Sequence, residues 1–137
     1  MAFAVLLLLF IPFSAAAQPA GEVVAEPICF VVRNEAPYTV YGSFVTELYT
    51  APDGNQARHR SNFRLEAAGE KDENGYPADR GEFCSYGPFF EGRKLELTLR
   101  TLVPIFTCKT RIDAGEIVIQ GRQLPEGGTE TKALCHD

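Results

Sequence analysis

Apolar and polar residues alternate along residues 93–119 with the period of two that is typical of β-strands. Between residues 94 and 100, three leucines alternate with charged or hydroxyl-bearing side chains, which predicts a strand with one apolar and one polar face. Pro104 interrupts the run because proline has no N–H to offer a central ladder. Two further strands, at 105–112 and 116–120, predict an antiparallel meander that needs a second layer over its apolar face.

The chain before this meander predicts a buried strand followed by a long hairpin. Residues 28–33 form a short run rich in β-branched residues, as buried strands do. Residues 38–50 are apolar on both faces, which is expected of a central strand or of one whose outer face meets a partner. The Ala-Pro-Asp-Gly-Asn sequence at 51–55 predicts a reversing turn, and residues 58–66 are expected to form the returning strand.

Three more segments complete the expected fold. Residues 67–81 lack periodicity and are dense in charge, Gly and Pro, so they predict a solvent-exposed loop. Residues 82–90 re-enter the core, and residues 129–135 predict a final edge strand. With about seven short strands and no amphipathic helix, we expect an all-β fold, a small antiparallel β-sandwich or partly closed barrel.

The start of the chain predicts export. Its opening run is uncharged and apolar, and Ala15 and Ala17 fit the small-residue rule for cleavage, so residues 1–17 are expected to be a signal peptide. An uncleaved N-terminal membrane anchor is the alternative, because no Lys or Arg precedes the apolar run. After cleavage we expect no stable membrane span. Residues 18–27 then form a loose lead-in and residues 28–137 a single domain.

The cysteines predict covalent cross-links. There are four of them, Cys29, Cys84, Cys108 and Cys135. Their spacing includes no C-x-x-C pair, which argues against a zinc site or a redox motif, and in an exported chain an even number favours two disulfides. Three pairings are open, and we favour Cys29 with Cys84 and Cys108 with Cys135, because each pair ties a terminal segment to a neighbouring strand. The expected compartment is the periplasm or the extracellular space.

Charge and motif content disfavour nucleic-acid binding and catalysis. The net charge is −5 with scattered Lys and Arg, whereas a nucleic-acid partner needs a concentrated basic face. Neither histidine lies in a nucleophile or metal-ligand motif, so we expect no enzyme, no catalytic residue, no metal site and no cofactor. The alternatives are His59 as a base or ligand, and a terminal metal site of His136 with Asp137.

Two charged groups offer binding chemistry of another kind. An acidic series in and beside the 67–81 loop either holds calcium or, as we expect, lies solvated among neighbouring cations; it consists of Glu66, Glu70, Asp72, Glu73, Asp79 and Glu82. Those we single out for contact with a basic partner are Asp72, Glu73 and Asp79. An arginine row either docks an acidic polymer or a lipid headgroup, or is the wet face of the hairpin and pairs with the loop. This row consists of Arg58, Arg60 and Arg64.

Aromatic residues indicate a recognition surface. Tyrosine is favoured at recognition patches, and the aromatic side chains are numerous for so small a core. We hypothesise that the outer face of Tyr41, Val45 and Tyr49 is a protein- or ligand-docking patch. The competing interpretation is that bulky residues fill the core in place of Trp, which the chain lacks.

Three stretches carry a resemblance to known proteins. They read NEAPYTVYGSFVTELYT, GEFCSYGPFF and RTLVPIFTCKTRID. With their spaced cysteines they resemble small exported proteobacterial β-sandwich domains of unknown function, from which the 67–81 insert departs. The resemblance implies a thin β-sandwich and no activity.

These observations together predict a non-enzymatic exported binding or interaction module. The specific version is an inhibitor of an envelope hydrolase, in which a protruding loop fills the cleft of the target. The alternative is a structural accessory subunit held in a larger envelope complex by an apolar face. In either case the partner is an unknown protein of the cell envelope, and no nucleic acid is involved.

Overall fold

The computed structural model describes residues 21–137, in which ten β-strands and no helix occur. The strands are β1 (Ile28–Asn34), β2 (Val40–Val45), β3 (Tyr49–Thr50), β4 (Gln56–Ala57), β5 (Arg60–Leu65), β6 (Arg80–Ser85), β7 (Lys94–Arg100), β8 (Pro104–Arg111), β9 (Ile117–Gln123) and β10 (Thr129–Leu134). The all-β prediction is confirmed, with ten strands where about seven are expected from turn spacing. The predicted signal peptide lies outside the described residues.

Two four-stranded sheets form the layers of a β-sandwich. One has the strand order β10-β9-β1-β6 and the other β5-β2-β7-β8, while β3 and β4 pair as a separate short ribbon. Strand β2 lies in the middle of its sheet, as its two apolar faces predict. The edge position predicted for the last strand is also confirmed, because β10 borders the first sheet.

The inner faces of the two sheets meet in one hydrophobic core. The alternating leucines of β7 are buried, as are Ile117 and Ile119 of β9. Four phenylalanine rings bridge the layers, with the Phe30 and Phe44 centroids 4.9 Å apart in an edge-to-face arrangement. Phe83 and Phe63 complete the cluster, which joins β1 and β6 to β2 and β5. Aromatic residues therefore supply the bulk that fills this Trp-free core.

The predicted hairpin is confirmed, although its first strand is broken. Strand β2 pairs with β5 in antiparallel register, and β3 with β4 beyond it. Between them the Thr46 hydroxyl accepts a hydrogen bond from the His59 backbone N–H at 3.0 Å. This side-chain bond replaces a ladder bond and interrupts the strand, which the apolar pattern does not reveal.

The prediction of a three-stranded meander is wrong in its last strand. Strands β7 and β8 pair antiparallel as expected, but β9 crosses to the other sheet and lies parallel to β1. The buried Ile117 and Ile119 of β9 then contribute to the core from the opposite layer. Alternation fixes which side chains point inward but not which sheet a strand joins.

Both disulfides form with the favoured pairing. Cys29 and Cys84 are directly opposed in the register of β1 and β6, and both are exposed on the outer face of that sheet. Cys108 of β8 bonds to Cys135, just after β10, and both pack against the core. The first bridge therefore joins neighbouring strands of one sheet, and the second ties the two sheets together.

The described part of the lead-in, residues 21–27, makes hydrogen bonds to the sandwich. The Val24 N–H donates to Tyr86 O at 3.1 Å, and the Phe89 N–H donates to Glu22 O at 2.8 Å. Arg93 adds an ion pair with the Glu22 carboxylate at 3.0 Å. Because this segment is polar and proline-bounded, its composition does not indicate which residues of the sandwich it contacts.

Candidate binding surfaces

The β7–β8 connection exposes several large apolar side chains. Thr101 N–H donates to Val103 O at 3.0 Å, which closes a tight turn between the two strands. Leu102 has a relative exposure of 103%, Val103 of 62% and Ile105 of 43%. We call Leu102, Val103 and Ile105 the hairpin tip. Exposed apolar residues of this size, grouped on one protruding element, are a mark of interaction sites.

An apolar groove lies beside the hairpin tip. It has a volume of about 420 Å³ and runs between the tip, the start of β2 and the edge strand β10. Tyr41 lines it and is 47% exposed. On the opposite wall the Tyr38 hydroxyl lies 2.6 Å from Thr131 Oγ1, which fixes β10 against this end of the sandwich. Tip and groove form one continuous surface with a rigid base.

Cations border this surface. On the outer face of the β5-β2-β7-β8 sheet, Arg64 and Arg100 flank Tyr41 in register, with the Arg64 guanidinium 6.0 Å from the ring centroid. The cations at outward register positions are Arg60, Arg64, Lys94, Arg100, Lys109 and Arg111. At the same positions of the described sheet the only acid is Glu96. A chain of net charge −5 therefore carries one basic face.

The proposed aromatic patch does not form as a unit, which corrects the sequence-based hypothesis. Tyr41 is exposed, but Val45 is only 1% exposed. Just beyond Val45 along the chain, the Glu47 N–H donates to Pro88 O at 2.9 Å. Tyr49 lies beyond the break in the strand and is half-buried, with its ring stacked on His59 at 4.9 Å. Of the three residues, only Tyr41 belongs to the surface around the hairpin tip.

A second concave surface lies at the other end of the sandwich. This cleft of about 840 Å³ is lined by Tyr49, His59 and Tyr86, together with Arg58 and Glu47. The His59 ring stacks on Tyr49 and its backbone N–H donates to the Thr46 hydroxyl, so both parts of this residue contribute to the packing of the fold. Tyr86 is 55% exposed, and the cleft offers aromatic faces beside charged groups.

The acidic loop divides into an exposed end and a buried base. Asp72 Oδ1 accepts hydrogen bonds from the backbone of Asn74 at 2.8 Å and Tyr76 at 3.0 Å, which builds the turn at the loop end. Glu73 is exposed beside it. The expectation that Asp79 meets a partner is wrong, because this residue is only 6% exposed.

Asp79 instead fastens the loop base to the sandwich. Its carboxylate accepts hydrogen bonds from Gly69 N–H at 2.9 Å and from Arg80 Nε at 3.2 Å. The Gly69 bond in particular lowers the pKa of the Asp79 carboxyl, against the opposing effect of burial. The carboxylate therefore stays ionised at neutral pH and keeps the loop closed at its base.

The residues considered for metal binding have other partners. A His136 ring nitrogen lies 2.9 Å from Glu116 O, and the neighbouring Cys135 is in a disulfide. Cys29, Cys84 and Glu82 bring sulfur and oxygen atoms within 4.8 Å of one another, but the two sulfurs are bonded together. A disulfide sulfur lacks the thiolate charge with which cysteine holds a metal.

No family model, curated protein or solved structure matches this chain. The resemblance to exported proteobacterial domains accordingly stays a prediction. A sandwich fold alone does not specify a function.

Two structural facts bear on where the protein works. The two disulfides indicate an oxidising setting outside the cytosol. Within residues 21–137, no helix has the length and apolar character needed to cross a membrane.

Proposed function

We propose that this chain is a non-enzymatic, exported protein-binding module of the periplasm or extracellular space. Its docking element is the hairpin tip, and its partner is a protein that offers an apolar pocket with an acidic rim. The observation that carries the proposal is the full exposure of Leu102 at the end of a closed turn. Burying one such side chain on binding contributes about 1.5–3 kcal/mol.

Charge favours a protein over a lipid surface as the occupant of the tip. Arg100 and Arg60 carry no salt bridge among the described residues, whereas Arg64 pairs with Glu66 at 2.8 Å. Two or three local cations contribute only about 1 kcal/mol each at an anionic bilayer. The net charge of −5 opposes that attraction over the rest of the molecule. A localised acidic rim on a protein matches the basic face without this penalty.

The specific form of the proposal is inhibition of an envelope hydrolase. The hairpin tip, rather than the acidic loop, enters the cleft of the enzyme, because the tip is apolar and its base is fixed by two paired strands. The second candidate is an accessory subunit of an envelope complex, which the adjoining apolar groove at Tyr41 favours. The two differ in outcome, since an inhibitor lowers the activity of its captured partner and a subunit does not.

Serine substitutions at the tip test the proposal. Leu102→Ser together with Val103→Ser removes two exposed apolar side chains, so the domain keeps its stability and loses most of its binding. We expect capture of the partner from an envelope extract to weaken by about 100-fold, from roughly 3 kcal/mol of lost burial. The measurement is binding to the immobilised domain, quantified against the unchanged chain.

Tyr76→Ser is the matched control, because Tyr76 is about as exposed as Val103 but lies on the acidic loop. It should capture the partner as well as the unchanged chain does. Equal capture by the tip variant and the control would contradict the proposal. Tip-dependent binding to anionic vesicles in place of protein would also contradict it.

A further inference from the structure

We propose that Ser43, Arg60 and Arg100 form an oxyanion-binding site on the outer face of the β5-β2-β7-β8 sheet, and that its ligand is a carboxylate. The site lies on β2, β5 and β7, next to the hairpin tip that follows Arg100. The inference rests on the proposed function only in naming an acidic side chain of the partner as the source of that carboxylate.

The three side chains converge on one buried oxygen. Ser43 occupies the middle of the central strand and is fully buried. Its Oγ accepts a hydrogen bond from Arg60 Nη1 at 3.2 Å and another from Arg100 Nη2 at 3.1 Å. A hydroxyl has two lone pairs and one proton, so both acceptor positions are used and its O–H remains a donor. Two guanidinium groups thus meet over a single neutral atom.

The two guanidinium groups at this site have more N–H donors than there are acceptors for them. Within residues 21–137, these two bonds are the only side-chain hydrogen bonds of either guanidinium. Arg100 Nε is buried and has no hydrogen-bond partner in the same part of the chain. Buried polar atoms without a partner are rare and costly, and a bound ion is one of the groups that can supply the missing partner. Nε and Nη2 form the edge of arginine that grips a carboxylate with two parallel bonds.

The nearby acids are directed elsewhere. Glu66, which follows β5, pairs with Arg64 at 2.8 Å. Glu96 is separated from Arg60 by Val45 in the register of the sheet, and no carboxylate of the described chain lies within 4.0 Å of Arg60 or Arg100. The two like charges therefore lack internal compensation. A bound anion removes their repulsion and satisfies the free donors in one step.

The site is tested without any partner protein. Acetate is titrated into the full domain at pH 7 and constant ionic strength while the arginine Nε–Hε signals are followed by NMR, with chloride as the reference salt. We expect the Arg100 signal to shift saturably with acetate. Arg60→Gln, followed on the Arg100 signal, and Arg100→Gln, followed on the Arg60 signal, should each raise the acetate concentration at half-saturation by about tenfold or more, because each removes a charge-assisted hydrogen bond.

Arg58→Gln is the control, since it removes the same charge from an exposed arginine that lines the opposite cleft. It should bind acetate like the unchanged domain. No saturable shift, or an equal loss in Arg58→Gln, overturns the site. A parallel titration with inorganic phosphate separates ligand classes, and tighter binding of phosphate overturns the assignment to carboxylate.

The same titration separates this inference from the proposed function. The Leu102→Ser, Val103→Ser variant should bind acetate unchanged, because its substitutions lie outside the site. If that variant still captures the partner while the acetate site is intact, the proposed role of the tip fails and the oxyanion site stands. If capture depends on the tip but no acetate binds, only the site fails.

Discussion

Removing either disulfide should lower the free energy of unfolding by roughly 4 kcal/mol. The two bridges span 55 and 27 residues, for which the loss of loop-closure entropy gives about 4.2 and about 3.6 kcal/mol. Domains of this size are stable by about 5–15 kcal/mol, so the chain without both bridges should fail to fold. The measurement is urea unfolding of the Cys29→Ala, Cys84→Ala and Cys108→Ala, Cys135→Ala variants.

The two variants should also differ from each other. Cys29 and Cys84 are exposed, so their replacement acts almost entirely through the unfolded chain. Cys108 and Cys135 pack against the core, and their truncation adds a loss of apolar contact that offsets the shorter loop. We therefore expect the Cys108–Cys135 variant to be destabilised at least as much. A loss below about 1 kcal/mol in both variants contradicts the view that the cross-links hold this small sandwich together.

Asn34→Ala should lower the free energy of unfolding by about 3 kcal/mol, although it removes only one short side chain. Asn34 is fully buried at the end of β1. Its amide nitrogen donates to Tyr38 O at 2.8 Å and to Glu66 O at 2.9 Å, and its oxygen accepts from Ala36 N–H at 2.9 Å. Alanine leaves these three backbone groups without partners, at roughly 1 kcal/mol or more for each.

Thermal or urea unfolding measures this loss, with Asn62→Ala as the control. Asn62 lies on the exposed outer side of β5, so its truncation should change stability by less than about 0.5 kcal/mol. Asn34→Asp should be no better than Asn34→Ala, because a carboxylate cannot donate to the two carbonyl groups. Equal stability of the Asn34 and Asn62 variants would show that the buried amide is not the link between β1, the following turn and β5.

The two-layer fold of the protein can be predicted from features that are visible in the sequence. Period-two alternation places the β7 leucines in the core, the Pro-Asp-Gly turn sets up the β2–β5 hairpin, and four cysteines without a C-x-x-C pair indicate two bridges. Each of these signals is local, or depends on the cysteine count alone. The assignment of β9 to the other sheet is not local, since Ile117 and Ile119 bury the same surface against either layer.

The binding surfaces are harder to predict because they depend on several strands at once. Ser43 and its two arginines are brought together by the register of β5, β2 and β7, and no spacing in the sequence connects residues 43, 60 and 100. Val45 is buried although it occupies an outward register position, and the Asp79 carboxylate accepts a hydrogen bond from the Gly69 N–H. The hairpin tip does have a readable signal, namely the apolar Leu102 and Val103 before Pro104 between two alternating strands. The proline alone indicates only an interruption of the meander, whereas the two apolar residues before it indicate an exposed turn.

Photo-crosslinking from the hairpin tip tests the central claim most directly. A benzoylphenylalanine residue in place of Leu102, introduced into the full chain in the cells that produce it, should give one dominant protein adduct upon irradiation. The same residue in place of Tyr76 should not give that adduct, because both positions are exposed but only the tip is proposed to dock. Identical adduct patterns from the two positions, or no protein adduct from position 102, would contradict a binding role for the tip.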